Sequence, residues 1–148
     1  MHATIASINI SDKKGMRKKA VDSAVLIENY GIERDAHASG DWHRQISLLA
    51  MESIKKMQAM GLKVSSGDFA ENLTTEGIDL ISLPVGTRIT VGEEIEVEVS
   101  QIGKVCHNRC AIYYQAGDCV MPKEGIFAKV LRGGTVKKGD EIKVVGSK

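Results

Sequence analysis

Between Glu93 and Ile102 the residues Ile95, Val97 and Val99 alternate with Glu94, Glu96 and Glu98, the period-two pattern of a strand with one face buried and the other in water. Short β-rich pieces recur along the chain, separated by glycine-bearing turns. Strands are expected over Thr4 to Ile10, Ser23 to Ile27, Gln45 to Leu49, Glu71 to Thr75, Arg88 to Val91, Ile126 to Leu131 and Glu141 to Val145. Leu83-Pro84-Val85-Gly86 and Val91-Gly92-Glu93-Glu94 read as turns, and Pro84 argues against a central strand there. Arg132-Gly133-Gly134-Thr135 and Lys137-Lys138-Gly139-Asp140 are also turn signals, which predicts that the last two long strands close as a hairpin-like pair.

One segment departs from this period. From Met51 to Met60 the apolar residues Met51, Ile54 and Met57 share a helical face, and Gly61 stands where a C-terminal cap belongs. Seven or so short strands, one clear helix and no repeating βαβ rhythm predict a mainly β fold, a closed or partly open β-barrel with one or two short helices. At 148 residues the chain is expected to form a single domain over 1–148, burying about two thirds of its extended-chain surface.

Twenty basic against nineteen acidic residues leave a formal charge of +1, so no global field favours nucleic acid or a membrane as partner. The basic run Lys13, Lys14, Arg17, Lys18 and Lys19 lacks interleaved aromatics and reads as a solvated loop, or as a dock for an acidic partner or an anionic cofactor tail. Apolar runs such as Val25-Leu26-Ile27 are far too short to span a bilayer, and Met1 to Ile5 has neither the charged start nor the apolar stretch of a secretory signal. The expected address is the cytoplasm, where thiols stay reduced.

All three cysteines, Cys106, Cys110 and Cys119, lie within fourteen positions. A buried hydrophobic role is the commonest fate of a free cysteine. Lys104, His107, Asn108 and Arg109 are poor company for a core strand, however, and Lys104, His107 and Arg109 supply positive potential that favours a thiolate. Cys106 and Cys110 stand about 13 Å apart in a strand and about 6 Å apart on a helical turn, so they act jointly only where the chain curls. A zinc site from Cys106, His107, Cys110 and Cys119 is the alternative, holding a non-catalytic binding module together, although the paired C-x2-4-C knuckles are missing.

Two further segments carry polar chemistry. Gly31 to Arg44 holds the sole tryptophan, with Arg34, His37 and Arg44 as candidate anion ligands or residues of an ordinary solvated connection. Gly67 to Leu73 sets Glu71 and Asn72 on the threshold of a strand, where Asn72 either bonds a heterocycle or closes a turn.

Taken in order, Arg44-Gln45-Ile46-Ser47-Leu48-Leu49, Phe69-Ala70-Glu71-Asn72-Leu73-Thr74, the cysteine segment reached through Val99-Ser100-Gln101, and Gly125-Ile126-Phe127-Ala128-Lys129-Val130-Leu131 resemble the MOSC domain family, named for the carboxy-terminal domain of molybdenum cofactor sulfurases. The resemblance spans nearly the whole chain and is nearest to the compact stand-alone members. It implies a pyruvate-kinase-barrel-like fold and a cysteine that ligates molybdenum in the pterin cofactor or carries sulfur as a persulfide. The activity so implied is sulfurtransferase-like or a molybdenum-dependent reduction, with the cofactor or a sulfur-donor protein as partner. Pyridoxal phosphate, attached to the family through fused sulfurases, has no aldimine-forming motif here. Arg109-Cys110-Ala111-Ile112 looks like the metal-ligating segment of the two-domain reductases, while Cys106 stands where the sulfurase-type cysteine is expected. Cys110 and Cys106 are therefore the candidate catalytic and metal residues. Arg34, His37, Arg44, Glu71, Asn72, Lys104 and Arg109 are the candidate cofactor-binding residues, and Cys119 is a bystander.

Overall fold

The computed structural model describes residues 3–10, 19–35, 40, 45–61, 71–102 and 125–147. Seven strands close into a barrel: β1 (Ala3–Ile10), β5 (Ile46–Ala50), β6 (Leu73–Glu76), β7 (Thr87–Val91), β8 (Ile95–Ile102), β9 (Ile126–Arg132) and β11 (Glu141–Ser147). Around the ring the order is β11-β7-β8-β9-β5-β6-β1, and β1 returns to β11 through Ala3↔Ile142 and Thr4↔Glu141. An odd ring cannot be antiparallel throughout, because the last strand would meet the first in the wrong sense. The conflict is resolved at a single place, where β5 and β6 run parallel with Leu48↔Leu73 and Leu49↔Thr74.

Parallel neighbours need a crossover. Here it includes α1 (Met51–Ala59), which starts directly at the end of β5. Its Ile54 and Met57 are buried outside the main core cluster, and Met51 is half-buried beside them, so the helical face read from the sequence packs on the barrel wall. Gly61 ends the helix at φ +92°, its N–H donating to the Gln58 carbonyl at 3.0 Å. Only glycine adopts that backbone without a Cβ penalty.

Inside the ring the inward residues of each strand form one apolar cluster that includes Ile5, Ile8, Leu48, Leu73, Ile89, Val97, Ile126 and Val130. Full burial of each such side chain contributes about 1.5–3 kcal/mol. Alternation along β8 is as expected, with Ile95, Val97 and Val99 buried and Glu96 and Glu98 half-exposed.

Both mouths of the barrel are filled. At one, the 3-10 turn Leu80–Ser82 inserts Leu80 into the core cluster. At the other, a small antiparallel sheet of β10 (Gly134–Lys137), β3 (Ser23–Ile27) and β4 (Gly31–Ile32) contributes Leu26, Ile32 and Val136 to the same cluster. Gln45 latches this cap to the barrel, its Nε2 donating to Asn29 Oδ1 at 3.1 Å while its Oε1 accepts from the Val130 N–H at 3.0 Å. β2 (Lys19–Val21) extends the sheet beyond β1 through Ile8↔Val21 and Ile10↔Lys19.

The expected hairpin of β9 with β11 does not form. β9 is already paired on both edges, with β8 and β5, and β11 lies between β7 and β1. The residues between them, read as two turns, instead hold β10, paired with β3 through Thr135↔Val25. Gly133 permits this excursion, since a Cβ there would collide with the Leu26 backbone carbonyl oxygen.

Two stability measurements check this packing. Gly133→Ala forces backbone of the cap away from the barrel and is expected to cost about 1–3 kcal/mol in urea unfolding. Thr75, fully buried, holds the one buried side-chain polar atom among the described residues without a hydrogen-bond partner, its Oγ1. Thr75→Val keeps the shape and removes the orphan, so the urea midpoint should rise by the equivalent of about 1 kcal/mol; an unchanged or lower midpoint would show that the hydroxyl is bonded.

Candidate functional site

Among the described residues, apolar side chains fill both mouths of the barrel, and the polar side chains gather on its outer wall. The outer wall formed by β5, β6 and β1 is unusual for its content. Leu48, Leu73 and Ile8 point into the core, so alternation turns Ser47, Asn72, Thr74 and Asn9 to the other face. A register shift between Ile5 and Ser7 brings Ser7 opposite Thr74 on that face as well. All five are buried, as is Glu71 at 0% exposure.

The cost of burying so much polarity is met by mutual hydrogen bonds. Asn72 is the junction. Its backbone N–H donates to the Ser47 carbonyl and to Ser47 Oγ, each at 3.0 Å. Its Oδ1 accepts from the Ser47 N–H at 2.9 Å and from Ser47 Oγ at 3.2 Å. On the other side its Nδ2 donates to the Asn9 carbonyl at 3.3 Å, and the Asn72 carbonyl accepts from the Asn9 N–H at 2.7 Å. A single side chain thus ties the entrance of β6 to β5 and to β1.

A second line of bonds leaves Asn9. Ser7 Oγ donates to Asn9 Oδ1 at 2.9 Å, Asn9 Nδ2 donates to Thr74 Oγ1 at 3.1 Å, and Thr74 Oγ1 donates to Glu71 Oε2 at 2.8 Å. Glu71 has a further polar interaction besides Thr74.

Of the residues expected from the sequence, Glu71 and Asn72 are therefore neighbours in one sealed network. Asn72 does not close a turn; its amide is engaged with Ser47 and Asn9 across both neighbouring strands. Arg34 is elsewhere in character, a surface residue at φ +71° whose side chain is 84% exposed and 3.9 Å from the Glu33 carboxylate. His37, Arg44, Lys104, Cys106, His107, Arg109, Cys110 and Cys119 lie outside the described residues. Among the described residues no group of three or more His, Cys, Asp or Glu side chains could hold a metal ion, and no helix is long and apolar enough to cross a membrane.

The stems of the cysteine segment are nevertheless fixed. Ile102 and Ile126 form a paired rung, continued through Leu48 and Leu73 to Ile8. Ser47 and Asn72 stand one residue from that rung. β8 runs in the same sense as β5 and β6, so the segment 103–124 leaves the barrel at the end where β5 and β6 finish, whereas Glu71 and Asn72 stand where they begin. At the finishing end there is also a cleft of about 430 Å³ between α1 and the turn after β6, lined by Ala50, Glu52, Ser53, Lys56 and the 77–81 segment. Glu52 spans one side of it, its carboxylate accepting from the Gly77 N–H at 3.0 Å.

Ser7, Asn9, Ser47 and Thr74 were not distinguishable from wet-face strand residues in the sequence. The available signal was the density of side-chain amides and hydroxyls in strands that also carry Ile5, Ile8, Leu48 and Leu73.

Comparison with known proteins agrees with this architecture. The family model for the MOSC domain matches residues 35–143. Among solved structures, the YuaD protein from Bacillus subtilis superposes with a TM-score of 0.82 at 22% identity, covering 100% of this chain and 98% of that one. YiiM from Geobacillus stearothermophilus gives 0.71 at 21% identity, covering 97% and 75%, and YiiM from Escherichia coli gives 0.70 at 19%, covering 100% and 71%. At these identities the structural likeness concerns the fold. No curated protein matches the sequence.

Asn72→Ala removes acceptors from the Ser47 N–H and hydroxyl and a donor from the Asn9 carbonyl in one step. Leaving those groups buried and unpaired should cost about 2–4 kcal/mol in urea unfolding, and a loss under about 0.5 kcal/mol, the range of ordinary surface changes, would show that the junction is not holding the wall.

Proposed function

The chain belongs to the MOSC domain family, and from that membership we propose that it binds the molybdenum cofactor, or carries sulfur for its maturation, through a cysteine thiolate supplied by Cys110 or Cys106. The observation that carries this proposal is that the family match, over residues 35–143, includes the whole cysteine segment together with Glu71 and Asn72.

The donor set of the wall formed by β5, β6 and β1 suits a pterin in kind, with the Glu71 carboxylate as an acceptor and amide and hydroxyl groups around it. It does so from behind, because Glu71 and Asn72 are sealed and the Asn72 amide is already committed to Ser47 and Asn9. Asn72 then serves by holding the wall, and Glu71 as the carboxylate that accepts from Thr74 within it. When bound, the cofactor supplies two-electron chemistry at molybdenum or accepts sulfur there. Lys104 and Arg109 favour the thiolate by their charge. Arg34, His37 and Arg44 are the proposed contacts for a phosphate. Whether the outcome is sulfur transfer or a molybdenum-dependent reduction follows from which of the two thiolates is the working one.

Anaerobic reconstitution with the cofactor, followed by molybdenum and sulfane sulfur analysis, tests the proposal. Near-stoichiometric loading of the wild type and near-complete loss in the Cys106→Ala, Cys110→Ala double variant are expected, with the single variants identifying the working thiolate. Full retention of both molybdenum and sulfane sulfur in the double variant overturns it. Stoichiometric zinc in protein purified without added metal, with unfolding on chelation, points to a metal-stabilised binding module in its place.

A further inference from the structure

Exposed apolar side chains are not spread evenly over the barrel. Among the described residues nine large ones are exposed, and five of them, Ile81, Val85, Ile102, Val144 and Val145, belong to the end where β5, β6 and β8 finish. β11 runs in the same sense as β8, with β7 antiparallel between them, so the last residues of β8 and β11 share a rim with the residues that lead into β7. Val144 stands opposite Ile89, and Ile102 opposite Ile126. Opposed residues share a face of the sheet, and Ile89 and Ile126 are core residues, so Val144 and Ile102 lie on the inner side of that rim. The Gly86 N–H donates to the Val99 carbonyl at 2.8 Å, which sets Val85 beside the end of β8. Leu80 fills the floor of this mouth, but the turn that carries it packs against β5, on the far side of the ring from β7. The arc of Val85, Ile102, Val144 and Val145 is left apolar, its members 60%, 40%, 49% and 54% exposed. Single exposed apolar residues are ordinary on a protein surface, whereas a set grouped at one end marks a contact surface.

The same arc is the root of the cysteine segment. Cys106 and Cys110 follow Ile102 by four and eight residues, so extended chain allows them at most about 14 and 29 Å from it, whatever path the chain takes. A folded donor about 30 Å across that brings its own sulfur to a thiol so tethered comes up against this end of the barrel. We propose that Val85, Ile102, Val144 and Val145 form the docking face for a protein that delivers sulfur to Cys106 or Cys110 as a cysteine persulfide. This rests on the reading that the chain carries sulfur, and adds where and by what contact the donor is received. In the transfer the working thiolate attacks the outer sulfur of the donor persulfide. A sulfur–sulfur bond forms on this chain and the donor's own breaks, its electron pair leaving on the donor cysteine as a thiolate while the proton stays on the transferred sulfur. No oxidant or reductant is consumed. A patch of four side chains suits such an encounter, because interfaces that form and release within a transfer cycle are small.

The test follows sulfane sulfur on the chain with two donors: a cysteine desulfurase supplied with free cysteine, which presents a protein-bound persulfide, and sodium polysulfide, which needs no docking. The wild type is expected to load from both. Val85→Asp combined with Val145→Asp places charge on the two most exposed positions of the arc and should slow loading from the desulfurase by about tenfold or more, the scale of losing central interface contacts, while loading from polysulfide is unchanged. Val25→Asp, at an exposed apolar position on the cap at the other end, should load as the wild type does from both. Where the aspartate pair lowers the urea midpoint, Val85→Thr with Val145→Thr removes apolar contact at nearly constant shape and should still slow the desulfurase reaction alone.

Unslowed loading of these paired variants from the desulfurase, a wild type that loads from polysulfide alone, or a loss shared by both donors or by Val25→Asp overturns the docking face and leaves the sulfur-carrying reading standing. A wild type that takes sulfur from neither donor overturns both.

Discussion

The parallel contact between β5 and β6 is the constraint on which the barrel depends. Seven strands can close only if one neighbouring pair runs in the same sense, and this pair is where that condition is met. It is also a short seam, since β5 and β6 are paired over only Leu48↔Leu73 to Ala50↔Thr75. The Asn72 side chain lengthens it by one step, acting as an extra length of backbone that bonds the Ser47 N–H at 2.9 Å. The crossover then follows from chain economy, because a parallel partner requires a return path along the outside of the wall, and part of that path is α1.

From this seam comes the division between fold and chemistry. The inward faces of β5, β6 and β1 are given to packing, as Leu48, Leu73 and Ile8 show, apart from the Thr75 hydroxyl, while their outward faces carry amides and hydroxyls in mutual contact. Burying that polarity is tolerable because nearly every group finds a partner within the wall. Two of the three segments that the sequence marked for function, those ending at Arg44 and at Asn72, run into adjacent strands of this wall. The third is tied to it through the Ile102↔Ile126 rung.

Much of the architecture was legible from periodicity alone. β8 declared itself by alternation, and α1 by the spacing of Met51, Ile54 and Met57 and by Gly61, because those patterns are imposed by the geometry of the element itself. The short strands β2, β4 and β10 carry too little pattern to be seen, and β10 was concealed by the two glycines that let it leave the barrel. Which strands pair is set by closure of the ring rather than by adjacency in sequence, so β9 and β11 could not be kept apart by reading turns. At the site, the residue types at Glu71 and Asn72 were visible, but their engagement was not, since it depends on Ser47, Asn9 and Thr74 arriving from three different strands.

The rung between Ile102 and Ile126 also has a bearing on how such a protein changes over time. The two ends of the cysteine segment are held about 5 Å apart by the sheet, so the barrel never depends on the segment to keep β8 beside β9. The cost of closing a loop grows only slowly with its length. A change in the number of residues between Ile102 and Ile126 is therefore met by a pairing of β8 with β9 that is already in place at both ends of the segment.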